Sequence, residues 1–141
     1  EHAAFRGLRA DELTHVERLL SLHTFAPGAT IIHMGDHADI IYFLTRGAVS
    51  ITVTLADGQV KRLSTLAPGM MFGELAVVDR SDRSADVRAD TEVECYALTL
   101  AEFDALDSTH PTLKSALLQN MLRTLSQTVR RLSNEVRTLA S

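Results

Sequence analysis

Between residues 24 and 98 the chain is cut into short alternating or β-branched runs: Thr30 to His33, Ile40 to Leu44, Val49 to Leu55, Val60 to Leu66 and Glu92 to Leu98. Gly, Pro and Asp punctuate the gaps, and this pattern is the mark of a small antiparallel barrel or jelly roll. Outside that stretch the period changes. From Asp11 to Leu22 the residues Leu13, Val16, Leu19 and Leu20 recur at helical spacing, predicting an amphipathic helix over about 11–22 that stops before Pro27-Gly28. Leu100 to Leu106 is a short helical patch, and Ser108 or Thr109 with Pro111 marks the start of a long last helix, so helices are expected over about 100–139. The expected fold is mainly β with flanking α-helices: an antiparallel β-roll or jelly-roll barrel of about eight strands over 24–98, with an N-terminal helix and a long C-terminal helix. With 141 residues, 45% of them apolar, the chain is one domain spanning 1–141, large enough for a core and too short for two ordinary domains.

Turn chemistry supports the barrel. Asp57-Gly58 sits between Ile51-Thr52-Val53-Thr54 and Val60-Lys61-Arg62-Leu63 and suits a tight hairpin with positive φ at both centres. Gly28, Gly35, Gly47 and Gly69 fall at strand boundaries, where a residue without a Cβ is least strained.

In the last helix, Leu118, Leu122, Leu125, Val129, Leu132, Val136 and Leu139 step by 4, 3, 4, 3, 4 and 3, an a/d heptad seam. Such a seam predicts a homodimer, because beyond Leu132 a helix rising about 1.5 Å per residue outruns a small barrel; packing of the seam within one chain is the alternative. Charge also divides the chain, with nine basic and seventeen acidic residues over 1–110 but five basic and one acidic over 111–141. The basic tail reads as a solvated helix surface attracted to an acidic body, since no aromatic or Gly-rich interleaving accompanies its arginines.

Several function classes lose support. The formal net charge of -4 lacks the basic excess of a nucleic-acid binder. No apolar run approaches the roughly 20 residues that span a bilayer, and no charged-then-apolar leader stands at the start, so a soluble, cytoplasmic protein without membrane contact is expected. The opening at Glu1 rather than Met suggests a piece of something longer. Cys95, the single cysteine, lies in an alternating stretch and reads as a small buried residue. HExxH, GxSxG and CxxC are all missing, so no catalytic residues and no enzyme activity are expected. Of the histidines at 2, 15, 23, 33, 37 and 110, only His33 and His37 are close in sequence, and Gly35 between them marks strand and turn rather than a metal-binding helix; no metal is expected.

The stretch from Met71 to Val87 matches neither alternation nor a long helix, and it carries the chemistry. Gly73-Glu74-Leu75-Ala76 suits one helical turn whose free N–H groups form an anion cradle, with Gly73 letting a ligand approach the backbone. Nine residues after Glu74, Arg83 offers a planar fork for two oxygens of one phosphate. Glu74 cannot itself meet a phosphate and needs a donor, which a ribose hydroxyl next to that phosphate supplies. One arginine with backbone donors suits a singly charged phosphodiester, and no GxxxxGK[ST] is present for a triphosphate.

Gly-Glu-Leu-Ala at 73–76 followed by Arg-Ser-Ala at 83–85 resembles the phosphate-binding cassette of cyclic-nucleotide-binding domains, of the catabolite-activator and kinase-regulatory-subunit type. Phe25-Ala26-Pro27-Gly28, Ile32-His33-Met34-Gly35-Asp36, Tyr42-Phe43-Leu44 and Gly47-Ala48-Val49 follow that family's order of strands and glycine turns, extending the resemblance over roughly residues 11–140. The resemblance implies that Gly73, Leu75 and Ala76 offer N–H groups to the cyclic phosphate or ribose, and that Glu74 accepts the ribose 2′-hydroxyl. Arg83 would pair with the exocyclic phosphate oxygens, Ser84 and Ala85 would add contacts, and Leu63, with Ile51, would pack on the base. Asp82 stands where many members have proline, and Asp79, Asp82 and Asp86 surround the loop with negative charge that Arg80 partly offsets. Ser84 keeps a hydroxyl where threonine often accompanies cyclic GMP; cyclic AMP is favoured over cyclic GMP as ligand. Asn134, Glu135, Gln127 and Thr128 are polar candidates for base contacts from the last helix.

The function expected is therefore a regulatory sensor. Bound nucleotide would draw the short helix and Leu75 inward, a hinge near 99–111 would reposition the last helix, and the signal would reach an effector outside this chain and upstream of it. The alternative is a barrel that has lost its ligand and serves as a dimerisation module.

Overall fold

Ile41, Tyr42, Phe43 and Leu44 are all buried, so the strand that holds them has to be covered on both faces. The computed structural model describes residues 2–74 and 81–140, with the backbone alone at 132 and 135–140. Two four-stranded antiparallel sheets lie face to face. The first runs in the order β1 (Ser21–Phe25), β8 (Val93–Thr99), β3 (Ile40–Arg46), β6 (Met71–Phe72); the second β2 (Thr30–Ile32), β7 (Asp86–Ala89), β4 (Val49–Thr54), β5 (Val60–Leu66). Tyr42, Leu44, Phe72 and Cys95 point between the sheets at Ile32, Val49, Leu66 and Val87. Ile41, Phe43 and Leu98 point the other way, into a second core with Phe5, Val16, Phe103, Leu106, Leu113 and Leu117. Each large side chain so buried stabilises the fold by about 1.5–3 kcal/mol before entropy is subtracted. This is the expected β-roll flanked by helices.

Three local expectations need correction. The first helix, α1, spans Ala10–Leu19 and not 11–22, because Ser21 to Phe25 pair with Val93 to Ala97 as β1. The hairpin at Asp57-Gly58 is a three-residue loop: Leu55 N–H donates to Gln59 O at 2.8 Å, Gly58 N–H to Leu55 O at 2.9 Å, and Gly58 takes φ 88°. Ser108 and Thr109 do not start the long helix, since their hydroxyls donate back to Ala105 O and they close α2 (Leu100–Thr109). The long helix, α3 (Pro111–Ala140), opens on Pro111, whose fixed φ and missing N–H suit a first helical position.

The N-terminal segment, a 3₁₀ turn at Ala3–Phe5 that the sequence did not announce, is clipped to the rest at two points. His2 donates from Nε2 to Met70 O at 3.0 Å while its Nδ1 accepts the Ala4 N–H, an arrangement of the neutral ring, and burial holds its pKa below the usual histidine value. On α3, buried Asn120 donates to Ala4 O at 2.9 Å and Arg6 O at 2.8 Å, while its Oδ1 accepts from Arg123. Cys95 is fully buried on β8 and its thiol is pushed up to about 12 by desolvation, as suits an inert core residue. Among the described residues no helix is long and apolar enough to cross a membrane.

Replacing Asn120 by Ala strips two carbonyls of their donor, and a buried acceptor left bare costs about 1–3 kcal/mol. Asn120→Ala is expected to lower the midpoint of thermal unfolding by several degrees, while a variant at exposed Gln119 leaves it unchanged.

Candidate functional site

Arg83 is charged and only 7% exposed, so its guanidinium must find oxygen inside the protein. Its Nη1–H donates to Gly73 O at 2.5 Å and its Nη2–H to Ile40 O at 2.7 Å. The backbone of Arg83 is held as firmly: Arg83 N–H donates to Asp36 O and Gly35 N–H to Arg83 O, both at 2.8 Å. Asp86 Oδ1 accepts the Met34 N–H at 2.7 Å, tying the same turn to the start of β7. Among the described residues, two of the five guanidinium N–H groups are thus engaged by carbonyls.

Gly73 is required by both conformation and space. Its φ is 81°, and a Cβ there would stand 2.7 Å from Arg83 Nη1 and 3.2 Å from Ile40 O. Glu74 follows, 8% exposed, and desolvation pushes its carboxyl above the usual range against the opposing pull of its backbone hydrogen bond and of Arg83. Desolvation likewise lowers Arg83, while Tyr42, Asp39, Glu74 and Asp36 support its charge. Tyr42 stacks on Phe72, which lines the cavity beside Arg83, with ring centroids 4.9 Å apart.

Gly73, Glu74, Arg83, Ser84 and Ala85, expected to act together, line one cavity of about 190 Å³ between the sheets and α3. Ile51 lines it too, with Ile32, Leu66 and Phe72. Leu63 does not: β4 and β5 slip register between the pairs Ile51–Ser64 and Thr52–Arg62, leaving Leu63 as the extra residue of a bulge, 54% exposed and outside the cavity. Leu75 and Ala76, the other expected backbone donors, lie outside the described residues. Of the polar candidates on the last helix, Thr128 reaches the cavity, while Gln127 and Asn134 are exposed and do not line it; the Glu135 side chain lies outside the described residues. Leu125 and Val129 of the heptad seam also close the cavity, a role that helical spacing alone could not reveal. Of the seam, Leu118, Leu122 and Val129 are 39%, 64% and 53% exposed; the side chains of Leu132, Val136 and Leu139 lie outside the described residues.

His33 sits in a turn with its Nδ1 3.7 Å from Asp36 and no contact to His37, whereas His15 on α1 stacks on His110 with centroids 3.8 Å apart. Among the described residues no group of three His, Cys, Asp or Glu side chains is placed to hold a metal ion.

Because its folded pKa is raised, Glu74 keeps its proton to higher pH in the folded chain than in the unfolded one. Its share of stability is present in full below the unfolded value of 4.5 and is lost as pH rises through the raised folded value. Subtracting the pH–stability profile of Glu74→Gln from that of the native chain is expected to leave a curve declining from about pH 4.5 upward. A level or rising difference curve contradicts the burial of this carboxyl.

The family model described as cyclic nucleotide-binding domain matches residues 22–110. Glutaminase 1 of Bradyrhizobium diazoefficiens is 38% identical over 126 residues, which cover 89% of this chain and 20% of that protein. The cAMP-activated global transcriptional regulator CRP of Pasteurella multocida is 30% identical over 114 residues, 80% of this chain and 54% of that protein. Among solved structures, Thermus thermophilus catabolite activator protein superposes with a TM-score of 0.75 at 27% identity, covering 98% of this chain and 63% of that one. The chain thus spans about a fifth of the one curated relative and about half of the other.

Proposed function

The chain belongs to the cyclic nucleotide-binding domain family, and we propose that it works without catalysis, as a sensor that binds a cyclic mononucleotide in the cavity between β7, Gly73 and α3. The observation that carries this reading is the Arg83 guanidinium, buried yet with two of its five N–H groups engaged among the described residues, and set beside Gly73 and Glu74. A cyclic phosphate carries one negative charge and matches one fork. The ribose hydroxyl beside it donates to Glu74, which removes the disadvantage of a buried carboxylate with too few donors. Ser84 and Ala85 contact the phosphate, Leu75 and Ala76 add backbone donors, and Ile51 with Thr128 meets the base. Cyclic AMP is preferred to cyclic GMP.

The relay follows from volume. A cavity of about 190 Å³ is smaller than the ~300–1,000 Å³ of typical ligand sites, so an occupant displaces the residues that close it, and Leu125, Thr128 and Val129 all belong to α3. Ligand contact therefore differs between two helix positions, which is the condition for a population shift. The break at His110 between α2 and α3 is the hinge. The CRP relative is described as cAMP-activated, in keeping with this reading. The glutaminase match, which covers 20% of that protein, supports a regulatory module within a larger protein; we place the larger protein in the cytoplasm and its effector upstream of the segment. The exposed leucines Leu118 and Leu122 pair two copies through α3.

Calorimetric titration with cyclic AMP and separately with cyclic GMP tests the proposal. The native chain is expected to bind cyclic AMP more tightly than cyclic GMP, and Arg83→Ala to bind either more weakly by on the order of 100-fold, as for a truncated buried charge pair. Native-like binding by Arg83→Ala, with its fold verified by circular dichroism, overturns the site. No heat and no thermal shift with either nucleotide would move the function to helix pairing alone. For the dimer, Leu122→Glu is expected to shift sedimentation equilibrium toward monomer while leaving nucleotide affinity within a few-fold. An unchanged mass overturns pairing through α3.

A further inference from the structure

The outer face of the second sheet holds a cavity that neither the nucleotide site nor the helix seam uses. Ser50 and Thr52 alternate on β4 with Val49, in the core, and Ile51, at the nucleotide cavity, and so face away from the barrel. Arg88 stands opposite Ser50 on β7, and Arg62 opposite Thr52 on β5. These four line a cavity of about 430 Å³, with Asp90 at its edge. The two arginines are two strand spacings apart across the sheet and two residues apart along it, roughly 12 Å between their backbones, so their stems reach from opposite sides over the β4 hydroxyls.

The two hydroxyls on the floor differ in their hydrogen bonding, and the charged groups above them, Arg62, Arg88 and Asp90, are exposed. Ser50 and Thr52 are 2% and 7% exposed; the Ser50 hydroxyl donates to Asp90 Oδ2 at 2.6 Å, but the Thr52 side chain has no hydrogen-bond partner among the described residues. Arg62 forms no ion pair among the described residues, and Arg88 makes a single 3.5 Å contact, to Gly28 O. Residues 1–110 carry seventeen acidic side chains against nine basic ones, so two arginines that share a cavity with one carboxylate, Asp90, run against the charge of the body. Asp90, engaged by Ser50, leaves the group with one net positive charge.

We propose that this cavity is a second anion site and that it takes a phosphate group. Two guanidinium forks approaching from opposite sides each match a pair of oxygens. Thr52, on the floor, adds a donor from a third direction, a set that fits a tetrahedral group better than a planar carboxylate. Arginines that merely cover the sheet would be replaceable by lysine without loss of any binding.

Amide nuclear magnetic resonance of the native chain titrated with inorganic phosphate, at constant ionic strength balanced by chloride, is the test. Residue-by-residue shifts separate this site from the one at Arg83. Saturable shifts are expected at Ser50, Thr52, Arg62 and Arg88, weakened about tenfold in Arg62→Gln and in Arg88→Gln, and partly in Arg62→Lys, which keeps the charge and loses the fork. Thr52→Val, nearly isosteric, is expected to weaken binding without unfolding and serves if an arginine variant does not fold. Shifts that rise linearly without saturation, or that are the same in Arg62→Gln and Thr52→Val as in the native chain, overturn the proposal. A parallel titration with phosphoserine separates the source: tighter binding than the free ion assigns a phosphorylated side chain, weaker binding a free phosphate.

Discussion

One guanidinium inside the barrel sets most of what surrounds it. Arg83 at 7% exposure requires oxygen for its guanidinium, and the chain supplies it from two separate segments, the carbonyl of Ile40 at the head of β3 and the carbonyl of Gly73 after β6, while Asp36 in the turn after β2 holds the Arg83 backbone N–H. Gly73 has no side chain because one would collide with the arginine itself. Glu74 is held in the same desolvated space, where each charge is tolerable only near the other.

Helix α3 is the element through which the site reaches the remainder of the molecule. Its first half is fixed, with Leu113, Leu117 and Met121 in the helical core and Asn120 holding the carbonyls of Ala4 and Arg6. Its middle closes the cavity beside Arg83 with Leu125, Thr128 and Val129, and Arg131 donates to Met70 Sδ at 3.3 Å. Met70 O in turn receives His2. The N-terminal turn therefore touches both the strand that leads into the cassette and the helix that covers it, so a displacement of either is felt at residues 2–6 through short, buried hydrogen bonds.

Much of this was legible from residue pattern. Four strands were recognisable within a residue or two because their alternation is strong, and β8 was legible for the same reason. β1, β6 and β7 were not, since Ser21–Phe25 continues a helical spacing and Met71–Phe72 and Asp86–Ala89 are too short to show a period. At the site, Gly73, Glu74 and Arg83, read from their residue types, and Ser84, Ala85 and Ile51, implied by the family resemblance, line one cavity, while Leu63, implied by the same resemblance, is kept out by a one-residue bulge that no local signal marks. The clip at Asn120 and the stack of His15 on His110 join residues about a hundred positions apart, beyond the reach of any local rule.

Residue pattern was enough for the β-roll, the heptad spacing of the last helix and the grouping of Gly73, Glu74 and Arg83, because alternation, turn glycines and an arginine nine residues after a Gly-Glu pair are local facts written in side-chain type. Tertiary structure alone decided which carbonyls hold Arg83, which part of the heptad seam becomes the lid of the cavity, and where two arginines of different strands meet on one sheet face. Those outcomes depend on strand register and helix docking, and both are set by the packing of the whole core rather than by neighbours along the chain.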